Sequence, residues 1–377
     1  MADGGWRIAN RVLLIAHRSS RSANRNPFLV SRFSFLVSRF ILHPSSFLPM
    51  LALVTAFLLS FISMWLYAYI VYWFDRFERE PKKLLVVVFL WGAFVATLGA
   101  IVAEFILGVG LLALTGDEPL TELAGAAIFA PLVEESLKGI AILIVAFVFR
   151  NEFDSILDGI VYAGIVALGF AATEDVLYLF SAYLEKGWGA LFALYFVRVI
   201  LTGWNHAAFT AFIGIGIAIA RLNKNVVVKI FAPILGWAIA VILHGTFNGL
   251  LSTENDTAVL LAFCISWIGW LFIFAIIVWA IRLDRARAKK FLAEEVERGI
   301  LSPAQFRVAT AALAPTFMRL GALGSGHYWD TRRFYQVCGE LAQKKEQLEK
   351  FGDERGNAAT IEKLRAEMQK LAMVARA

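Results

Sequence analysis

A127-I-F-A-P-L-V-E-E-S-L-K-G-I-A-I-L-I-V-A-F-V-F149 sets two adjacent carboxylates, Glu134 and Glu135, and an ammonium, Lys138, inside an apolar run long enough to cross a bilayer. One charge at the centre of a bilayer costs about 2.5–3.5 kcal/mol on insertion scales. Three charges within five residues therefore require partners from other segments. Later apolar runs supply candidates: Glu174 and Asp175, then His206, then His244 with Asn248. The expectation is an intramembrane site assembled from four spans.

The composition agrees. The chain has 377 residues and is 59% hydrophobic and 14% aromatic, with a mean hydropathy of +0.67. Soluble globular chains are about 45–50% apolar, so the chain is read as membrane-embedded. Its formal charge of +6 does not imply a nucleic-acid partner, because the basic residues lie mostly between and after the apolar runs, where water and lipid headgroups meet them. Two cysteines, Cys264 and Cys338, form neither a disulfide framework nor a thiolate metal motif.

Outward from the opening stretch, seven runs reach spanning length, at 50–74, 84–114, 122–149, 156–183, 188–220, 226–251 and 257–281. The second and fifth are long enough to be tilted, broken or extended, and a short re-entrant helix fits within 104–130, which would make eight. The fold class expected is all-α: a polytopic membrane helical bundle of seven to eight spans with a helical C-terminal tail. Arg76, Arg79, Lys82 and Lys83, then Arg150, then Arg221, Lys224 and Lys229, then Arg282 through Lys290 mark alternate loops as cytoplasmic. The tail is then cytoplasmic as well. Three regions result: an Arg/Ser-rich extension at 1–49, a membrane domain at 50–282 and a tail at 283–377. The extension holds seven arginines and one acidic residue, and its place on the outer side conflicts with the charge rule. Met50 is therefore read as the start of the mature protein. In the tail, Leu341, Leu348, Ile361, Leu364, Met368 and Leu371 recur at near-helical spacing around a turn at F-G-D-E-R-G-N. A helical hairpin is expected; a solvated tail is the economical reading, and self-association or partner binding the alternative.

Residues four apart share a helical face. That pairs Glu134 with Lys138, Phe170 with Glu174, His206 with Thr210 and His244 with Asn248. A helix opening at Pro131 would instead place both glutamates in a first turn near the outer surface. Gly164 and Gly169 permit close helix approach, Asp158 reads as a helix cap, and Asp175 stands beside the site or near the outer interface. Arg198 either snorkels or pairs with an acid. Carboxylates and imidazoles around water support general acid–base hydrolysis, with a His or Asn stabilising the oxyanion. If a metal is used, Glu135, Glu174, His206 and His244 suit zinc. H-E-x-x-H and G-x-S-x-G are both absent. A proton-coupled transporter or channel uses the same residue types.

Taken in order, E134-E135-x-x-K138, F170-x-x-x-E174-D175, H206-x-x-x-T210 and H244-x-x-x-N248 resemble the PrsW family of intramembrane proteases, which is grouped with the CAAX-processing and Abi membrane proteases. The similarity spans roughly 55–282, and D-G-I-V-Y…G-F-A-A-T-E-D-V-L-Y is its most specific stretch. The resemblance implies a multi-pass protease in the cell membrane that cuts membrane-anchored or membrane-proximal proteins, with anti-sigma factors as the expected targets. It assigns the site to Glu134, Glu135, Glu174, His206 and His244, assisted by Asn248, with Lys138, Phe170, Asp175 and Thr210 around them. CAAX proteases carry His where this chain has Glu174, so the identity of the base and the need for metal stay open.

Overall fold

The computed structural model describes residues 47–74, 80–253, 255–311, 314–322, 326–353 and 356–375. The extension at 1–46 lies outside them. The described residues are helical throughout and contain no strand. Contacts divide the chain into two units, Met1–Val71 with Pro81–Ile273, and Tyr72–Glu80 with Phe274–Ala377.

In the first unit the helices are α1 (Phe47–Phe74), α2 (Lys82–Thr115), α3 (residues 118–148), α4 (Ile156–Lys186), α5 (Trp188–Leu222), α6 (Val226–Leu251) and the first part of α7 (Asp256–Glu297). Among the described residues six helices are long and apolar enough to cross a membrane: α1, α2, α4, α5, α6 and α7. The third expected run, α3, has the length but carries Glu134, Glu135 and Lys138, which sets it apart by composition. No separate re-entrant helix occupies 104–130: α2 runs to Thr115, turns at Gly116 (φ 66°), and α3 begins at Glu118. Pro131 does not open a helix either. It follows a π-helical turn at Gly125–Phe129, so both glutamates sit near the middle of 118–148.

α4 is the hub. Of its most apolar stretch 89% is buried within the protein, against 22% for α1 and 11% for α6, so protein rather than lipid surrounds it. Small residues make this possible. A Cβ on Gly214 of α5 would lie 1.9 Å from the Gly159 carbonyl oxygen, and one on Gly169 would lie 2.0 Å from that of Phe89 in α2. Ser155 caps α4 in a capping box whose third member is Asp158, the capping role the sequence suggests. α3 is tied on both sides, by Trp91 Nε1 donating to the Leu137 carbonyl (3.1 Å) and Trp237 Nε1 donating to Ser136 Oγ (3.0 Å).

α2 and α5, the two overlong runs, each contain a π-helical segment, Trp91–Ala96 and Tyr195–Leu201. Such segments leave a carbonyl without its usual partner. Thr173 Oγ1 supplies one to Ala93 O at 2.7 Å, and Thr97 Oγ1 one to Gly92 O at 3.0 Å.

In the second unit the remainder of α7 packs with α8 (Pro303–Ala309), α9 (Ala314–Gly321), α10 (Tyr328–Phe351) and α11 (Asn357–Ala372). Leu292, Leu301, Phe334, Leu341, Ile361 and Met368 are among its buried core residues. The expected hairpin is therefore present as α10 and α11. The leucine spacing marks the face that closes this core. Glu295 is wholly buried and held by Lys345 and by Arg365 (2.9 Å).

Candidate active site

α3 brings three charges to one place because helical geometry puts Lys138 one turn beyond both glutamates. Its Nζ donates to Glu134 Oε2 (3.1 Å) and Glu135 Oε1 (2.9 Å), and neither end of these pairs is more than 2% exposed. The ammonium lies 4.0 Å above the Phe170 ring, which α4 presents to it. A third bond runs to α5, where Lys138 Nζ donates to His206 Nδ1 at 3.2 Å.

Glu135 is bound on both oxygens. Oε1 is shared by Lys138 and His244 Nδ1 (3.0 Å), and Oε2 accepts from Thr210 Oγ1 (2.7 Å). α6 thus enters through His244, whose ring stands edge-on to His206 at 5.1 Å and stacks on Phe209. Gly245 makes this approach possible, since a Cβ there would lie 2.4 Å from the Ala127 carbonyl oxygen. Four helices meet at the cluster, as the sequence suggests.

Glu174 occupies a different position from the one expected of a ligand. The oxygens and nitrogens of Glu134, Glu135, His206 and His244 lie within 4.8 Å of one another, and Glu174 stands outside that set. Its Oε2 faces His206 Nε2 at 2.9 Å, on the ring edge turned away from Lys138. With Nδ1 accepting from the ammonium, Nε2 is the protonated nitrogen. Behind Glu174 is Arg198, which does not snorkel: it reaches Glu174 Oε2 and Asp175 Oδ1, both at 2.7 Å, and covers Tyr178. Asp175 is buried beside the site as the partner of Arg198.

No hydrogen bond among the described residues ties the Asn248 side chain to the cluster. The residue is half-buried one turn beyond His244. Conversely, Glu104 lies outside the four motifs legible in the sequence. It is completely buried on α2, and its electrostatic neighbours are Glu134, Glu174 and Lys138. The signal was present: Thr97, Ala100, Ile101 and Glu104 form one buried stripe at helical spacing.

Five carboxyl groups (Glu104, Glu134, Glu135, Glu174, Asp175) thus face two fixed cations, Lys138 and Arg198. The set can hold a cation and can move protons. Two carboxylates and two imidazoles are donors that zinc accepts. The Lys138 ammonium already shows that a positive charge is accommodated between Glu134, Glu135 and His206.

Comparison with known proteins agrees with this picture. Residues 80–281 match the family model described as PrsW family intramembrane metalloprotease. Three proteins named Protease PrsW are similar. The one from Clostridioides difficile is 29% identical over 212 residues, covering 56% of this chain and 81% of that protein. The one from Geobacillus kaustophilus is 28% identical, covering 48% and 72%. The one from Bacillus subtilis is 28% identical, covering 41% and 62%. No solved structure matches. With more than half of its length matched by the family model, the chain belongs to the PrsW family and is an intramembrane protease.

Proposed function

We propose that the chain hydrolyses peptide bonds of membrane-anchored or membrane-proximal proteins, anti-sigma-factor-like regulators among them, with Glu134 as the base that activates water. One observation carries the assignment of the base. Both oxygens of Glu135 are engaged, whereas Glu134 Oε1 accepts no hydrogen bond from the described residues. A carboxylate with an open oxygen can take a proton from water.

Glu134 removes that proton as the water oxygen bonds to the carbonyl carbon. The Lys138 ammonium lies beside it and offsets the negative charge that develops on the carbonyl oxygen. The tetrahedral species then collapses: the C–N bond breaks, the proton passes from Glu134 to the departing nitrogen, and a carboxylic acid and an amine result. Glu135 anchors Lys138 and His244, and Glu174 fixes the ring of His206. Glu135, His206 and His244 would hold a metal, leaving Glu134 for the proton; a bound zinc ion would supply carbonyl polarisation and a more acidic water.

The charge pattern supports a cytoplasmic position for the basic loops and for the tail at 283–377. The experiment that tests the proposal is cleavage of a tagged single-span anti-sigma-type reporter in membranes, comparing wild type with Glu134→Gln, Glu135→Gln and His244→Ala, with and without a chelator. Loss of cleavage in the variants supports the reading, and chelator sensitivity supports metal. If no reporter is cut while the same variants abolish a pH-dependent flux, the transporter reading replaces it.

A further inference from the structure

Both carboxyl oxygens of Glu104 are buried and have neither a hydrogen bond nor an ion pair among the described residues, whereas Glu174 Oε2, likewise without a hydrogen bond, is held by ion pairs to Arg198 and His206. Arg198, Asp175, Glu174, Lys138 and both histidines are all engaged. An orphaned buried carboxyl costs about 1–3 kcal/mol or more, and such groups in native structures have a cause, bound water among them. The position is not incidental. Ala96, Ala100, Ile101 and Phe170 pack in one cluster with Val133 and Leu137, which holds this face of α2 against α3 and α4. Glu104 is one turn beyond Ala100 on the same stripe, with Glu134, Glu174 and Lys138 as its electrostatic neighbours.

We propose that Glu104 is a positioning residue of the hydrolytic site whose ligand is water: it holds a water molecule against Glu134. The inference rests on the reading of Glu134 as the base. A buried water needs about two to four polar partners. A Glu104 oxygen accepts one of its O–H groups, and Glu134 Oε1, the unclaimed oxygen, accepts the other. Hydrolysis inside an apolar bundle consumes one water per turnover, so a carboxyl that retains water beside the base shortens the wait for the next.

Two substitutions separate this from a structural role. Glu104→Gln keeps the shape and the hydrogen-bonding capacity, and Glu104→Leu keeps only the approximate volume. With wild type cutting the reporter, the expectation for Glu104→Leu is a kcat lower by about tenfold or more with KM within about twofold, and for Glu104→Gln cleavage within about threefold of wild type. Cleavage by Glu104→Leu at the wild-type rate overturns the proposal. So does an equal loss in both variants, or a loss that tracks the amount of folded protein. Infrared difference spectra in ordinary and isotope-labelled water give a readout that does not depend on cleavage. A bound-water O–H band should be present in wild type and in Glu104→Gln and absent from Glu104→Leu. A wild type that shows this pattern but cuts nothing sinks the protease mechanism and spares the water site; a missing band sinks the water site.

Discussion

At the scale of single residues, the site separates Glu135, engaged on both oxygens, from Glu134, which keeps one oxygen open. Glu174 touches the reacting groups only through His206 and is backed by Arg198. Its loss should therefore be milder than that of the base. Glu134→Gln is expected to lower kcat by about 10²-fold or more, and Glu174→Gln by about 10- to 100-fold, as read by initial rates on the reporter at matched protein. Lys138 is different, because it balances two carboxylates at zero exposure. Removing one partner of a buried pair leaves an uncompensated charge at a cost of about 3–5 kcal/mol. Lys138→Met should accordingly lower the thermal unfolding midpoint in detergent, and a midpoint equal to wild type would contradict the buried network. What was legible at this scale follows from spacing. Glu134, Glu135 and Lys138 had to meet because they are three and four residues apart. Glu104 was not legible as a partner, because a lone acid on a stripe of small residues does not say which helix covers that stripe. Nor was the Arg198–Asp175 pair, which joins two helices 23 residues apart in sequence.

At the scale of helices, the cluster depends on how closely α4, α5 and α6 approach. α4 carries Glu174 and Phe170, α5 carries His206 and Thr210, and their axes are held together where Gly159 and Gly214 face each other. Overpacking a close contact costs about 1–3 kcal/mol. Gly214→Val should therefore destabilise the protein by that order and lower cleavage more than its folded fraction falls, because spreading α4 from α5 lengthens the 2.9 Å approach of Glu174 to His206. Thermal unfolding and single-turnover cleavage, measured together, check this. Apolar run length predicted where the helices lie, but not the π-helical turns at Trp91–Ala96, Gly125–Phe129 and Tyr195–Leu201. A π turn shifts every later side chain around the helix, and nothing in a local apolar pattern encodes it.

At the scale of the whole molecule, the polytopic all-α character follows from composition, and the charge pattern sets the expected orientation. The second unit was visible only as two amphipathic stretches, since α8 and α9 are too short to announce themselves by periodicity. Orientation can be tested with a cysteine at the exposed Lys363. Cys338 will not interfere: it is 1% exposed and burial pushes its thiol well above the usual range. It therefore stays protonated at neutral pH, and thiol reagents attack the thiolate. With Cys264 replaced, Lys363→Cys should react with an impermeant maleimide in inside-out vesicles and not in intact cells; the opposite pattern would reverse the assigned topology.

The contrast between α4 and α6 carries one more consequence. α4, with Glu174, is shielded by protein along 89% of its most apolar stretch, while α6, with His244, is shielded along only 11%. Hydrophobic mismatch acts on helices that touch acyl chains. Membrane thickness then has its largest purchase on α6, which carries His244, so cleavage should vary with the acyl-chain length of the surrounding lipid, and equal rates in short- and long-chain bilayers would contradict this.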